Sequence, residues 1–485
     1  MSKNAFELEL QSWIEKEKLA LELINYASKL YYNNSIELLL FRTKLVDKSA
    51  TEIIKDHQYA RAFAQIKTNV ESSVKFAKTL CEMDLAPSKI DIGRLQNEWL
   101  DEKGNFSSLE DFLTKKLKDF IGQDKRVLES RDVVLYGFGR IGRIAARLLT
   151  EQIGIGSQLR LRAIVVRKKS DDDIHKRANL LRVDSVHGKI AGTVQVDEEN
   201  NRIIVNGNAI QVIYANHPRE INYGDYGIQN ALIIDNMGIW NDREALSQHF
   251  EAKGCSQVIL TAPAGSDIEN VVYGINHNKV DLNKETIFSA ASCTTNCIAP
   301  VLSLIDKNYG LIDGHIETIH AYTNDQNLID NYHKKSRRGR SAALNMVLTS
   351  TGAAKAAIKI FPHFEGKLTA SAVRVPTPNA SIAIMSMTLK KKIKGGMNEV
   401  NELFRKAALK GDLVEQIGYS ISPEHVSTDV VGNIAATEID SLNTIVNKEG
   451  DRVVIYAWYD NEFGYTNQVI RYAKHIAKVN RLRYL

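Results

Sequence analysis

"RDVVLYGFGRIGRIAARLL", residues 131–149, changes character twice over a short span. It opens with an apolar run ending at Tyr136, continues through Gly137, Gly139 and Gly142, and closes with Ile141, Ile144, Ala145 and Leu148 on one helical face. The order is therefore strand, tight turn, helix. In such a unit the first glycine makes the turn and the second lets a pyrophosphate approach the backbone. The third lets helix and strand pack closely, and the helix N-terminus faces the negative charge. Gly137, Phe138, Gly139, Arg140, Ile141 and Gly142 are thus candidate contacts for a dinucleotide. The competing reading is a plain tight turn.

Working outward, further apolar runs follow at "LRLRAIVV" (159–166), "NALIIDNMG" (230–238) and "QVILTAPAG" (257–265), alternating with helical stretches. Near-continuous apolar strands are what a parallel sheet covered on both faces requires. An acid commonly ends the second strand of such a unit, where it binds ribose hydroxyls. Here Arg167, Lys168 and Lys169 stand at that point. An arginine attracts a ribose 2′-phosphate, which reads as NADP tolerance or preference. The alternative is a set of solvated charges beyond the strand end.

Upstream, residues 1–124 read as an almost entirely helical extension. "SATE" (49–52) fits a capping box, with Ser49 as cap and Glu52 reaching back. Phe63, Ile66, Val70, Val74 and Ala77 then repeat at three- and four-residue steps as one apolar stripe. "APSKIDIG" (86–93) breaks the pattern, and Cys81 reads as a small buried hydrophobe. Downstream, long strand-like segments such as "HIETIHAYT" (315–323), "ASIAIMSMTL" (380–389) and "DRVVIYAWYD" (451–460) suggest a mixed α+β domain. "NQVIRYAKHIAKVNRL" (467–482) reads as a closing amphipathic helix. The expected fold class is α/β: a Rossmann-type dinucleotide-binding domain (125–292, joined by a C-terminal helix in 461–485), a catalytic α+β domain (293–460), and an all-helical N-terminal extension (1–124).

The bulk properties agree with several soluble domains. The chain has 485 residues, 44% of them hydrophobic and 25% charged. A formal charge of +5 is small for this length and suggests no dedicated nucleic-acid binding. The N-terminal stretch mixes acidic and basic residues and lacks an apolar signal region, and no run is long enough to span a membrane. Four cysteines are too few to staple a chain of this size, so a reducing, cytoplasmic setting is expected.

Two of the four lie in "SAASCTTNCIAP" (289–300). A helical Cys293/Cys297 pair at i, i+4 is awkward for a disulfide, whose geometry is narrow. A zinc site needs further ligands at believable spacing, and none is present, so no metal is expected. Ser292, Thr294, Thr295 and Asn296 form a polar surround unlike a packing site. They also suit the start of a helix, whose dipole would lower a thiol pKa. A nucleophilic thiolate at Cys293 is the reading that remains.

"ASCTTNC", with "YGFGRIGR", "DSVHG", "HAYT", "STGAAKA", "RVPTP" and "YDNEFGY" in order, closely resembles the phosphorylating glyceraldehyde-3-phosphate dehydrogenases over roughly residues 130 to 480. The extension has no counterpart in the short form of that family and points to a long-form subgroup. The resemblance implies that Cys293 attacks the aldehyde to form a hemithioacetal, with His320 as its base. It implies a thioester released by inorganic phosphate as 1,3-bisphosphoglycerate. Thr323, Asp325 and Arg374 would hold the phosphate of glyceraldehyde 3-phosphate. Ser292, Thr294, Thr351 and Gly352 would hold the attacking phosphate, with Arg340 of "HKKSRRGR" (333–340) nearby. Asn461 would fix the nicotinamide carboxamide, and Cys297 would pack beside the nucleophile.

Departures from the family pattern cluster at the cofactor. Besides Arg167, they are Asn216 and His217 in "ANHP", Met237 in "NMG", and Thr261 where serine is usual. Altered choice between NAD and NADP is the economical reading. The basic run 333–340 reads as solvated surface or, by resemblance, as a loop at a subunit contact in a homotetramer. The expected alternatives are erythrose-4-phosphate dehydrogenase activity, or a non-catalytic scaffold or RNA-binding role on the same fold.

Overall fold

The computed structural model describes residues 3–65, 68–122, 128–151 and 158–485. The expected boundary near residue 124 lies outside the described residues, as does Ile66 of the apolar stripe.

The glycine-bearing segment folds as read. Strand Arg131–Tyr136 leads through the glycine turn into helix Arg140–Glu151. Around it lies an eight-stranded sheet in the order 287–289, 255–260, 231–235, 131–136, 159–166, 208–214, 202–205, 194–197. The first six strands are parallel, and an antiparallel pair extends one edge. Strand Ala231–Asp235 is buried at every position, which accounts for its unbroken apolar sequence. The helix buries Ile144, Ala145, Leu148 and Leu149 against this sheet, in one core with Val469, Ile470 and Ala473 of helix Phe463–Ile476.

The second sheet is mixed, in the order 347–349, 368–375, 311–321, 381–389, 452–459, 437–440, 417–420. Strand Ser381–Leu389 alternates buried with part-exposed residues throughout, as a sheet with one packed face requires. Helix Cys293–Tyr309 packs on that face through Cys297, Ile298, Val301 and Ile305.

The extension carries the expected helices: Lys3–Asn34, Ala50–Ala64, Val70–Glu82, Ile92–Glu102 and Leu109–Lys116. The capping box at Ser49 and Glu52 forms with both reciprocal bonds. Three expectations are corrected. The stripe from Phe63 to Ala77 is divided between two helices, because Gln65 turns left-handed (φ 57°) and Asn69 caps a new start. The extension is not all helical: Glu37–Leu40, Thr43–Lys44 and Ser88–Asp91 are strands. Finally, the closing helix stops at Ile476, and Leu482–Tyr484 instead pairs in parallel with Ser88–Asp91. The small sheet therefore runs 43–44, 37–40, 88–91, 482–484, uniting both ends of the described chain. Phe63 docks the extension on the second sheet between Tyr59 and Tyr419, each ring 5.7 Å away. Among the described residues no helix is long and apolar enough to cross a membrane.

Candidate active site

Cys293 is the first residue of its helix. Ser292 caps it, its Oγ accepting from the Thr295 N–H at 3.0 Å. The preceding Ala291 holds φ at 56°, a left-handed conformation unfavourable for a residue with a Cβ, and its carbonyl accepts from the Tyr465 hydroxyl at 2.9 Å. This strained corner turns the chain from strand Ile287–Ser289 into the helix.

His320 is the second-to-last residue of the strand Leu311–Ala321, and Arg374 lies opposite it in parallel register on Leu368–Val375. The His320 Nδ1 lies 2.7 Å from the Ala321 carbonyl oxygen, which can only accept. Arg374 Nη1 lies 3.1 Å from the same Nδ1, but its shorter contact, 2.8 Å, is to the Ala321 carbonyl. The arrangement that satisfies both donors puts a proton on Nδ1 and leaves a lone pair on Nε2, 3.7 Å from the Cys293 Sγ. Burial, reinforced by the Arg374 charge, holds His320 down at about 4, so the imidazole is a neutral acceptor. Burial also pushes the Cys293 thiol up, with Arg374 and the hydroxyl and N–H of Thr294 acting in the opposite direction. This corrects the expectation from the helix dipole alone: in the free pocket, desolvation outweighs it. A thiol facing a neutral base delivers a proton to that base as it attacks an electrophile.

The two groups stand in a cavity of about 340 Å³. Of the expected phosphate ligands, Ser292, Thr294, Thr351, Gly352 and Arg374 line it. Thr323 lies at the edge, its hydroxyl 3.5 Å from an Arg374 nitrogen. Asp325 pairs with Arg338 instead of facing the cavity. Arg340 is corrected: its guanidinium pairs with Asp330 at 2.8 Å and points into solvent. Lys335 and Arg338 line the cavity in its place, and Arg338 is fixed by donation to the Thr349 hydroxyl at 3.0 Å. The 3-10 turn Ser336–Gly339 decides which arginine of the run faces inward. No spacing rule for helix or strand applies to such a turn, so the sequence carried no signal for the choice. Cys297 is fully buried, donates toward the Thr437 hydroxyl, and is pushed up to about 12 by burial, as an inert packed thiol would be.

The glycine turn lies where strands leave the central one in both directions, the switch point at which α/β sheets bind ligands. Gly137 has φ 95°, and a Cβ on Gly142 would meet the Gly137 carbonyl oxygen at 2.4 Å. A Cβ on Gly139 would meet nothing within 4 Å, so this glycine borders open space. Such a cradle beside a helix N-terminus fits a pyrophosphate. Phe138 and Ile141 pack with the sheet core. The side chain of Arg140 is corrected as a cofactor contact: it is bound by Glu462 and Asp184, uniting "DSVHG" and "YDNEFGY" behind the loop. Only its backbone remains available there. Arg167 follows the strand end directly and is exposed. Met237 packs against Gly137, while His217 bonds Gln248 at 2.6 Å and Asn216 bonds Glu220 through its backbone. The Thr261 hydroxyl donates to the Asp235 carbonyl at 2.8 Å, so it shapes the crevice through the backbone. Asn461 is buried, its Oδ1 accepting from Ser381 at 3.0 Å, which leaves Nδ2 as the donor.

Residues 131–243 match the family model for the glyceraldehyde 3-phosphate dehydrogenase NAD binding domain, and residues 292–461 match that for the C-terminal domain. A glyceraldehyde-3-phosphate dehydrogenase-like protein of Pseudomonas aeruginosa is 48% identical over 94% of this chain and 99% of its own length. Glyceraldehyde-3-phosphate dehydrogenases of Priestia megaterium and Bacillus subtilis are 40% and 39% identical over 70% and 71% of this chain, and over 96% and 98% of their own lengths. A loop that fits a dinucleotide, a thiol facing a neutral imidazole and these likenesses over nearly the full length of each relative agree: the protein belongs to the glyceraldehyde-3-phosphate dehydrogenase family.

Proposed function

We propose that the protein catalyses the reversible phosphorylating oxidation of glyceraldehyde 3-phosphate to 1,3-bisphosphoglycerate. The Cys293 sulfur adds to the aldehyde carbon while His320 Nε2 takes the thiol proton and returns it to the new oxyanion, which leaves a hemithioacetal hydroxyl and a neutral imidazole. A nicotinamide held in the crevice would supply the hydride acceptor, and the neutral His320 Nε2 takes the hemithioacetal hydroxyl proton as the thioester forms. An oxygen of inorganic phosphate then attacks the acyl carbon, and the sulfur leaves as the acyl phosphate departs. Arg374 and Thr323 would hold the substrate phosphate. Ser292, Thr294, Thr351 and Gly352 would hold the attacking one, with Arg338 between them.

The carrying observation is the 3.7 Å approach of the Cys293 Sγ to an unprotonated Nε2, beside a cation held by neutral oxygens. It favours catalysis over a scaffold role, which needs no such pairing. NADP is proposed as a substrate alongside NAD because Arg167 is exposed at the strand end. A homotetramer in a reducing, cytoplasmic setting is proposed as well. Leu328, Ile329, Tyr332, Leu344 and Met346 form an exposed apolar stretch, each more than 70% exposed, beside the basic loop. All four cysteines are free.

The test is the initial rate of nicotinamide reduction with glyceraldehyde 3-phosphate and phosphate, run with NAD and with NADP. Phosphate-dependent turnover supports the reading. Turnover only with erythrose 4-phosphate would replace the substrate, and none with either sugar would remove the catalytic reading.

A further inference from the structure

A second cavity, of about 390 Å³, lies between the extension, the loop 432–435 of the catalytic sheet, helix Phe463–Ile476 and the tail that follows it. Among the described residues it shares no lining residue with the catalytic pocket. Among the described residues, eight lysines and arginines line it against two glutamates.

Each glutamate gathers several cations. Glu37 faces Arg481 at 3.0 Å, Lys44 at 3.5 Å and Lys89 at 3.8 Å. Glu415 faces Lys89 at 2.9 Å, and Arg471 and Arg483 at 3.0 Å each. Burial alone would raise the Glu37 carboxyl, but Lys44, Lys89 and Arg481 hold it at about 2. Lys474 is held well below the usual lysine range by burial and by Lys89, with Glu37 opposing. Glu37 and Glu415 position these side chains and offset part of their charge, as Asp56 does for Lys48 at 3.0 Å, and the lining keeps more cations than carboxylates. Leu39, Tyr273, Val414 and Ile434 add apolar wall, with the Arg471 guanidinium stacked on the Tyr273 ring at 4.9 Å.

A concave, partly desolvated surplus of positive charge with an apolar side suits an anion that has a carbon body. We propose that this cavity is a binding site for a small organic phosphate carrying two or more negative charges, held jointly by the extension and the dehydrogenase body. The volume suits a compact metabolite. The more exposed guanidinium of Arg483 suits contact with phosphoryl oxygens, while Arg471, bound to Gln468 and Glu415, adds its charge from behind.

The experiment is equilibrium binding of pyrophosphate and of fructose 1,6-bisphosphate to the full chain, saturated with NAD so that the crevice is filled. The variants are Arg483→Gln with Lys48→Ala, and separately Arg374→Gln. Side chains 483 and 48 are 40% and 24% exposed and Glu415 keeps two other cations, but Lys48 pairs with Asp56 at 3.0 Å, so binding is compared at a temperature well below the unligated melting point of each variant, where all are folded. The expected result is at least tenfold weaker binding in the double variant and no change in Arg374→Gln. Acetylation footprinting of the unmutated chain supplies a second readout, with Lys44 and Lys48 shielded by the bisphosphate. Absence of binding up to 10-millimolar ligand (~10 mM, far weaker than a specific site), no shielding, or loss of binding in Arg374→Gln instead would overturn the proposal.

Discussion

Both cavities gather cations, and the catalytic one also pairs Arg338 with Asp325, yet the cation beside its sulfur is held differently from those at the extension. In the catalytic pocket Arg374 is positioned by the Ala321 carbonyl and the Thr323 hydroxyl, acceptors that leave its charge intact. At the extension the cations are anchored by Glu37 and Glu415, buried carboxylates that offset part of the charge they organise. A neutral acceptor orients a cation so that its field acts on something else, here the sulfur and imidazole. A buried carboxylate ties elements together, because either partner left alone is a desolvated charge. One arrangement tunes chemistry and the other joins parts of the chain.

The strongest way to break this contrast is Cys293→Ser. Turnover should fall by about 10⁴-fold or more, the scale seen when a nucleophile is removed. Pyrophosphate binding and melting temperature should not move, and a loss of either would show that the cavities are not independent. Glu37→Gln should do the reverse. Breaking a buried pair by removing one partner costs about 3–5 kcal/mol, to be read from denaturant unfolding, while kcat per folded molecule stays constant. The sign with pH follows from the depressed carboxyl. Its contribution is complete above the ordinary value of 4.5 and is lost as pH falls toward about 2. The Glu37→Gln variant should therefore lose less stability than the parent across that acid window.

Smaller effects sharpen the comparison. Arg167 has no carboxylate partner among the described residues, so its charge is free to act as that of Arg374 does. Arg167→Ala should lower kcat/KM for NADP by about tenfold relative to NAD, the scale of one charge-assisted contact. The smallest change is in Arg374→Gln. The Cys293 thiol lies above its ordinary range and Arg374 pulls it down, so the variant should alkylate with iodoacetamide a few-fold more slowly at neutral pH. Its rate profile should move toward higher pH. A profile unchanged by the substitution would remove Arg374 from the electrostatics of the sulfur.

Much of the catalytic half was legible because its signals are local. The glycine turn, the apolar parallel strands and the alternating Ser381–Leu389 each state their geometry within a few residues. So did the cap at Ser292, although the thiol pKa followed burial, which only the packed pocket reveals. Choosing Arg338 over Arg340 depended on a 3-10 turn, and the Arg140 side chain was captured by Glu462 from a distant segment. The strands of the extension escaped for a related reason. They are two to four residues long, too short for a period, and one partner comes from position 482.

That last pairing sets an order of events in the cell. Ser88–Asp91 is made early and its neighbour Leu482–Tyr484 late, so the small sheet stays incomplete while the dehydrogenase body is synthesised. At ~5–20 residues per second the interval between positions 88 and 482 is roughly 20–80 s. Throughout that time an edge carrying Ile90 waits without its partner strand, and helix Ile92–Glu102 lacks the bond from Arg94 to the Leu485 carbonyl. An excised extension would remain in that unfinished state. The segment that looks like an appendage in the sequence is thus, in time, the part of the protein that closes last.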